Sequence, residues 1–136
     1  MAFRNCSGGI VLREKKGELQ VLLVKSMRGK KWTLPKGGVE AHLTPESNAV
    51  KEVFEEAGVL AEINYHLGRY EYTKNDTLQM VQVFLMRSLI QVDKYPECKI
   101  RKRKWVPAET AYSILNKNVA KLLQKAVLYY KNPGMF

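Results

Sequence analysis

Two hydrophobic periods run along this chain, and the switch between them divides it into elements. Residues 19–24 (Leu-Gln-Val-Leu-Leu-Val) are a short, mostly apolar run, the pattern of a buried strand. Residues 3–13, with Phe3, Gly9, Ile10, Val11 and Leu12, predict a strand before it, and Lys15-Lys16-Gly17-Glu18 predicts the turn between them. Residues 60–73 and 77–90 predict two long strands joined around Lys74-Asn75-Asp76. In the second, Met80, Gln82, Phe84 and Met86 alternate with Val81, Val83 and Leu85, as in a strand covered on both faces. Residues 100–106 predict a further strand. The period lengthens elsewhere. Ala49, Val50, Val53, Phe54 and Ala57 recur at helical spacing and predict a helix over 45–57. Pro107 opens another, reaching about Leu115, and a third runs from about Val119 to Tyr130 with Leu122, Leu123, Ala126 and Val127 as its buried stripe. Strands mixed with helices predict an α+β fold, a sheet covered on both sides.

The first helix is sharply punctuated. Thr44 is a good N-cap, Pro45 suits the first helical position, Glu46 favours the positive end of the dipole and Gly58 is a natural C′ residue. The glycine pair Gly37-Gly38 ahead of it lets main chain approach a ligand or ion closely. Glu52, Glu55 and Glu56 fall within a sector of roughly 100° on this helix, apart from its apolar face. They crowd one another near the negative end of the dipole, so local electrostatics oppose the arrangement twice. A hard divalent cation with oxygen ligands, such as Mg²⁺, reverses both penalties. A solvated helix face is the plain alternative for three such acids.

Gly37 to Val59 resembles the signature of the Nudix hydrolase family: Gly, five residues, Glu, seven residues, then Arg-Glu-aliphatic-any-Glu-Glu-any-Gly-aliphatic. Glu52, Val53, Glu55, Glu56, Gly58 and Val59 fall in register from Gly37, while Leu43 replaces the first Glu and Lys51 the Arg. The resemblance implies an α/β/α sandwich with a mixed sheet, one domain over 1–136, and hydrolysis of a pyrophosphate bond with Mg²⁺ or Mn²⁺ as cofactor. It implies Glu55 and Glu56 as metal ligands, Glu52 as a ligand or the base that activates water, and the Gly37 carbonyl as a further ligand; Glu52 and Glu55 are the expected catalytic pair. Lys51 keeps the charge of arginine without its bidentate fork. Leu43 removes a carboxylate, and Glu71, Asp76 and Glu97 are candidates to replace it, Glu97 being preferred.

Net charge sharpens the substrate class. The chain has 136 residues and a formal charge of +10, which attracts polyanions: highly phosphorylated small molecules, nucleic acid or an anionic membrane. Lys31-Trp32-Thr33-Leu34-Pro35-Lys36-Gly37-Gly38 and Arg101-Lys102-Arg103-Lys104-Trp105 are similar to the diadenosine and diphosphoinositol polyphosphate phosphohydrolase branch. That likeness implies a small substrate with four or more phosphates or a densely phosphorylated inositol. Arg4, Arg28, Lys36, Arg101 and Arg103 are the expected phosphate contacts. Alternation sends Arg101 and Arg103 to one face of their strand, although charges on an edge strand also serve simply to block pairing with another chain. Tyr70 and Tyr72 share a face and offer a base-stacking surface or ordinary packing. Two rival functions stay open: a hydrolase of RNA 5′ ends or nucleoside triphosphates, though no RNA-recognition motif is present, and a catalytically weakened nucleotide-binding module. No apolar run reaches the ~18 residues of a membrane span, and Cys6 and Cys98 form no CxxC pair, so a cytoplasmic protein with reduced thiols is expected.

Overall fold

The computed structural model describes residues 2–135. In chain order the elements are β1 (Ala2–Lys15), β2 (Glu18–Ser26), β3 (Lys36–Gly38), α1 (Pro45–Ala57), β4 (Val59–Lys74), β5 (Thr77–Gln91), β6 (Arg101–Pro107), α2 (Ala108–Ile114) and α3 (Lys117–Lys131), with a short 3-10 turn at Pro133–Met135. The sheet runs β4-β5-β1-β2-β6, and β3 pairs with β1 beside it. It is mixed: β1 and β5 are parallel, and the other pairings are antiparallel. Lys16-Gly17 and Asn75-Asp76 turn the two tight hairpins, all four residues at positive φ, the geometry that matches strand twist.

Strict alternation along β1, β2 and β5 builds two cores. Ile10, Leu12, Val21, Leu23, Val81, Val83 and Leu85 pack with Ala111, Leu115, Val119, Leu123 and Ala126 of the α2–α3 layer. Val11, Leu22, Val24, Phe84 and Met86 pack with Ala49, Val53 and Ala57 of α1. A one-residue slip in any of these strands would exchange the two sets, so both cores fix the register together. The architecture is therefore the sandwich that the sequence predicts, with α1 alone on one face.

β3 is a departure from expectation. The sequence reads Lys36–Gly38 as a glycine loop, but it pairs with β1 through Cys6–Gly38, Ser7–Gly37 and Gly8–Lys36. Three residues carry too little periodicity to announce a strand. Glycine at position 8 is what lets it form, because a Cβ there would collide with the Pro35 carbonyl and the Lys36 main chain.

Candidate active site

α1 forms over the residues its punctuation predicts. The Thr44 hydroxyl accepts from the Ser47 amide at 3.1 Å, and the Ser47 hydroxyl accepts from the Thr44 amide at 3.1 Å, a reciprocal cap that fixes where the helix starts. Gly58 ends it at φ 66°. Asn48, fully buried on the inner face, ties the helix to the glycine segment. Its amide donates to Ser7 Oγ at 3.0 Å and, at 3.4 Å, to the Gly37 carbonyl; its Oδ1 accepts from the Glu40 amide at 3.3 Å. These bonds hold β3 and the following loop against the first turns of α1.

The result is a cleft of about 480 Å³ lined by side chains of both charges. Glu40, Glu52, Glu55 and Glu56 line it together with Arg4, Lys36, Lys51, Lys74 and Arg101, beside Cys6, Thr33, Gly37, Gly38 and Tyr72. A Cβ at position 37 would occupy the space of the Glu52 carboxylate and turn that side chain aside. Glu56 is only 6% exposed. Desolvation raises its carboxyl to about 7, partly countered by Arg101, 3.8 Å away, and by the Lys36 amide, which donates to it at 3.2 Å. Desolvation also raises Glu52, against the pull of Lys51. Burial lowers the Lys36 ammonium, which Glu56 partly restores.

The donors suit a hard divalent cation: carboxylate oxygens, the carbonyl of a glycine that lines the cleft, and a buried acid that ionises only at a cost. Among the described residues, however, no three His, Cys, Asp or Glu side chains are gathered as a ready cage. Protein cations stand between them. Lys51 reaches Glu40, Glu52 and Glu55, and Arg101 reaches Glu56 and Glu97.

Of the residues expected from sequence, Gly37, Glu52, Glu55, Glu56, Arg4, Lys36 and Arg101 all line this cleft. Arg28 and Arg103 do not. Arg28 is exposed on the turn after β2. Arg103 shares a strand face with Arg101 but sits two residues further along β6, beneath the end of α1. There its Nη1 donates at 2.7 Å to the Ala57 and Val92 carbonyls, and its guanidinium lies 4.8 Å from the Tyr95 ring centre. It closes the last turn of α1. Tyr70 is also displaced from its expected surface: it is 5% exposed within the α2–α3 core and stacked on Tyr72 at 6.0 Å, leaving Tyr72 as the ring in the cleft.

Of the three acids considered as replacements at position 43, Glu71 and Asp76 are exposed outside the cleft lining, and Glu97 pairs with Arg101 at 2.7 Å. Glu40 joins the site without any sequence signal. No periodic pattern marks it, and only the fold of the loop brings it to Lys51. Asn48 is a second addition, and here a polar residue beside the apolar stripe of α1 is a legible sign.

The raised Glu56 carboxyl has a consequence for stability. Unfolded, this group titrates near its ordinary 4.5; folded, it holds its proton to about 7. Its contribution is thus fully favourable below about pH 4.5 and is lost as pH rises through 7. In ion-free protein, the thermal midpoint of Glu56→Gln relative to the parent is expected to rise across that window. A difference that stays flat from about pH 4.5 to about pH 8 in calorimetric melts would contradict the assignment.

Comparison with known proteins points the same way from another direction. A family model described as "NUDIX domain" matches residues 4–127. Nudix hydrolase 4 of Arabidopsis thaliana is 31% identical over 122 residues, 82% of this chain and 59% of that protein. Diphosphoinositol polyphosphate phosphohydrolase 3-beta of Bos taurus is 38% identical over 100 residues, 72% of this chain and 61% of that protein. The chain therefore spans about three fifths of the length of these curated relatives. Among solved structures, a binary complex of the C. elegans Ap4A hydrolase superposes with a TM-score of 0.83 at 22% identity, covering 94% of this chain and 98% of that one. That likeness speaks to the fold.

Proposed function

This chain belongs to the Nudix hydrolase family, and from that premise we propose that it hydrolyses a phosphoric anhydride bond in a small polyphosphorylated substrate, a dinucleoside polyphosphate or a diphosphoinositol polyphosphate. The observation that carries the proposal is one cleft that gathers the α1 acids and four further cations. Arg4, Lys36, Lys74 and Arg101 face a phosphate chain with positive charge, and the α1 acids meet it with oxygen ligands. Glu52, Glu55, Glu56 and the Gly37 carbonyl are the proposed holders of Mg²⁺ or Mn²⁺. Such an ion, when bound, neutralises the nonbridging oxygens of the scissile phosphate and lowers the pKa of a water on it. Glu52, whose carboxylate fits into the space above Gly37, would also be the group to orient the attacking water and take its proton. Tyr72 stands in the same cleft as a ring against which a base or inositol face packs.

The relatives support the substrate class. One is named for diphosphoinositol polyphosphates, and a structural neighbour is named for Ap4A. Among the described residues no helix is long and apolar enough to cross a membrane.

The test is a panel assay. With Mg²⁺ or Mn²⁺, the protein is incubated with diadenosine polyphosphates, a diphosphoinositol polyphosphate, capped RNA and nucleoside triphosphates, and products are resolved by anion exchange. Ion-dependent cleavage of the first or second substrate is expected. Cleavage confined to RNA or triphosphates would reassign the substrate. Binding without turnover on any member would make the protein a nucleotide-binding module.

A further inference from the structure

Lys51 and Leu43 are the two positions at which this chain departs from the family signature, and the structure connects one of them to a residue at one of its variable positions. The Lys51 ammonium lies 2.8 Å from Glu55 Oε1, 3.1 Å from Glu40 Oε1 and 3.4 Å from Glu52 Oε2. The ammonium donates hydrogen bonds to Glu55 and Glu52, and Glu40 lies beside it at ion-pair distance. Two of those acids come from α1 and belong to the proposed ion site. The third, Glu40, comes from the loop after β3 and is 43% exposed at its side chain. The hydrogen bond to Glu55 also holds Lys51 charged well above its ordinary range.

Lys51 and a divalent ion cannot share these oxygens at full strength. A dication on Glu52 and Glu55 would lie within a few ångströms of the ammonium, where like charges repel strongly in a half-buried cleft. In this structure the ammonium holds Glu40, Glu52 and Glu55 around itself. Glu40 is different, because it can hold the lysine from the loop side while the α1 acids turn toward an ion. The Glu40 carboxylate also has His42 Nε2 at 3.5 Å.

We propose that Lys51 is a resident counter-cation of the ion-free site, and that Glu40 receives it when a divalent ion takes Glu52 and Glu55. Glu40 is thus a positioning residue for ion loading, acting through Lys51. The inference rests on the ion-dependent function proposed for this cleft.

Mn²⁺ binding to ion-free protein, measured by calorimetry and by the loss of the free-ion electron paramagnetic resonance signal, tests it without any turnover. Lys51→Met is expected to bind Mn²⁺ on the order of tenfold more tightly than the parent, because the competitor is gone. Glu40→Gln is expected to bind it several-fold more weakly, because the lysine then stays on Glu55. In the double variant the Glu40 change should have no further effect, the signature of a residue that acts only through its partner. Lys51→Met binding no tighter than the parent overturns the proposal. So does a Glu40→Gln loss that persists in the Lys51→Met background, which would make Glu40 a direct ligand. The parent protein supplies a measurement independent of any variant: the Lys51 ammonium resonance should shift when diamagnetic Mg²⁺ is added, and an unmoved resonance at saturation sinks the handover. If neither the parent nor Lys51→Met takes up Mn²⁺, the ion-dependent function of the cleft fails together with this proposal.

Discussion

Glutamine in place of Glu55 or Glu56 is expected to cut turnover of the preferred polyphosphate by on the order of 100- to 1,000-fold, with the fold intact. The substitution keeps size and an acceptor oxygen and removes only the charge that an ion needs. At Glu56 the amide oxygen can still accept from the Lys36 main chain, and Arg101 retains its 2.7 Å pair with Glu97. Desolvation already penalises the charged form of Glu56, so neutralising it removes that penalty from the ion-free protein at neutral pH. At Glu55 the substitution removes the shortest contact of Lys51 but leaves Glu40 and Glu52 to hold it. Stability and catalysis should therefore separate. Initial rates at saturating Mg²⁺ and melts followed by circular dichroism give the two readouts. Parental turnover in either variant would remove these carboxylates from the site.

Leu22→Ala and Leu23→Ala should each cost about 3 kcal/mol of stability, yet only the first should also lower turnover. Both side chains are completely buried, and truncating such a leucine loses its transfer energy and leaves a cavity. For a domain of this length that corresponds to a fall in thermal midpoint of about 10 °C. The neighbours point to opposite sides of β2. Leu23 packs into the α2–α3 core. Leu22 packs under Ala49, Val53 and Ala57, the seat of the helix that carries Glu52, Glu55 and Glu56. A cavity under α1 lets that helix settle, and displacements on the order of 1 Å matter where reacting groups are held in position. Denaturant melts and steady-state rates on the folded fraction check the pair. Equal rate losses in both variants would show that general loosening, not the seat of α1, governs activity.

Local signals make most of the architecture legible in the chain. α1 can be bounded to the residue, because Thr44, Pro45 and Gly58 act within one turn of themselves. The strand at 77–90 is visible because apolar residues at both odd and even positions are what a strand buried on two faces requires. Where the chain is silent, the interacting partner is distant in sequence. Tyr70 and Tyr72 share a strand face, but only the packing of Thr33 and the α2–α3 core decides that the first is buried and the second lines the cleft. Arg101 and Arg103 likewise share a face of β6. Which of them meets Glu56 and which meets the end of α1 depends on how β6 registers against β2.

By itself the sequence determined the elements, the two-sided sheet and the carboxylate row on α1, since hydrophobic period, caps and helical spacing are properties of neighbouring residues. The tertiary structure alone decided what surrounds that row: Asn48 fastening the glycine strand, Glu40 reaching Lys51 from the loop, and Arg103 turned from substrate to scaffold. Those outcomes follow from burial and charge pairing between segments, and the energies of such contacts depend on distances that no local pattern encodes.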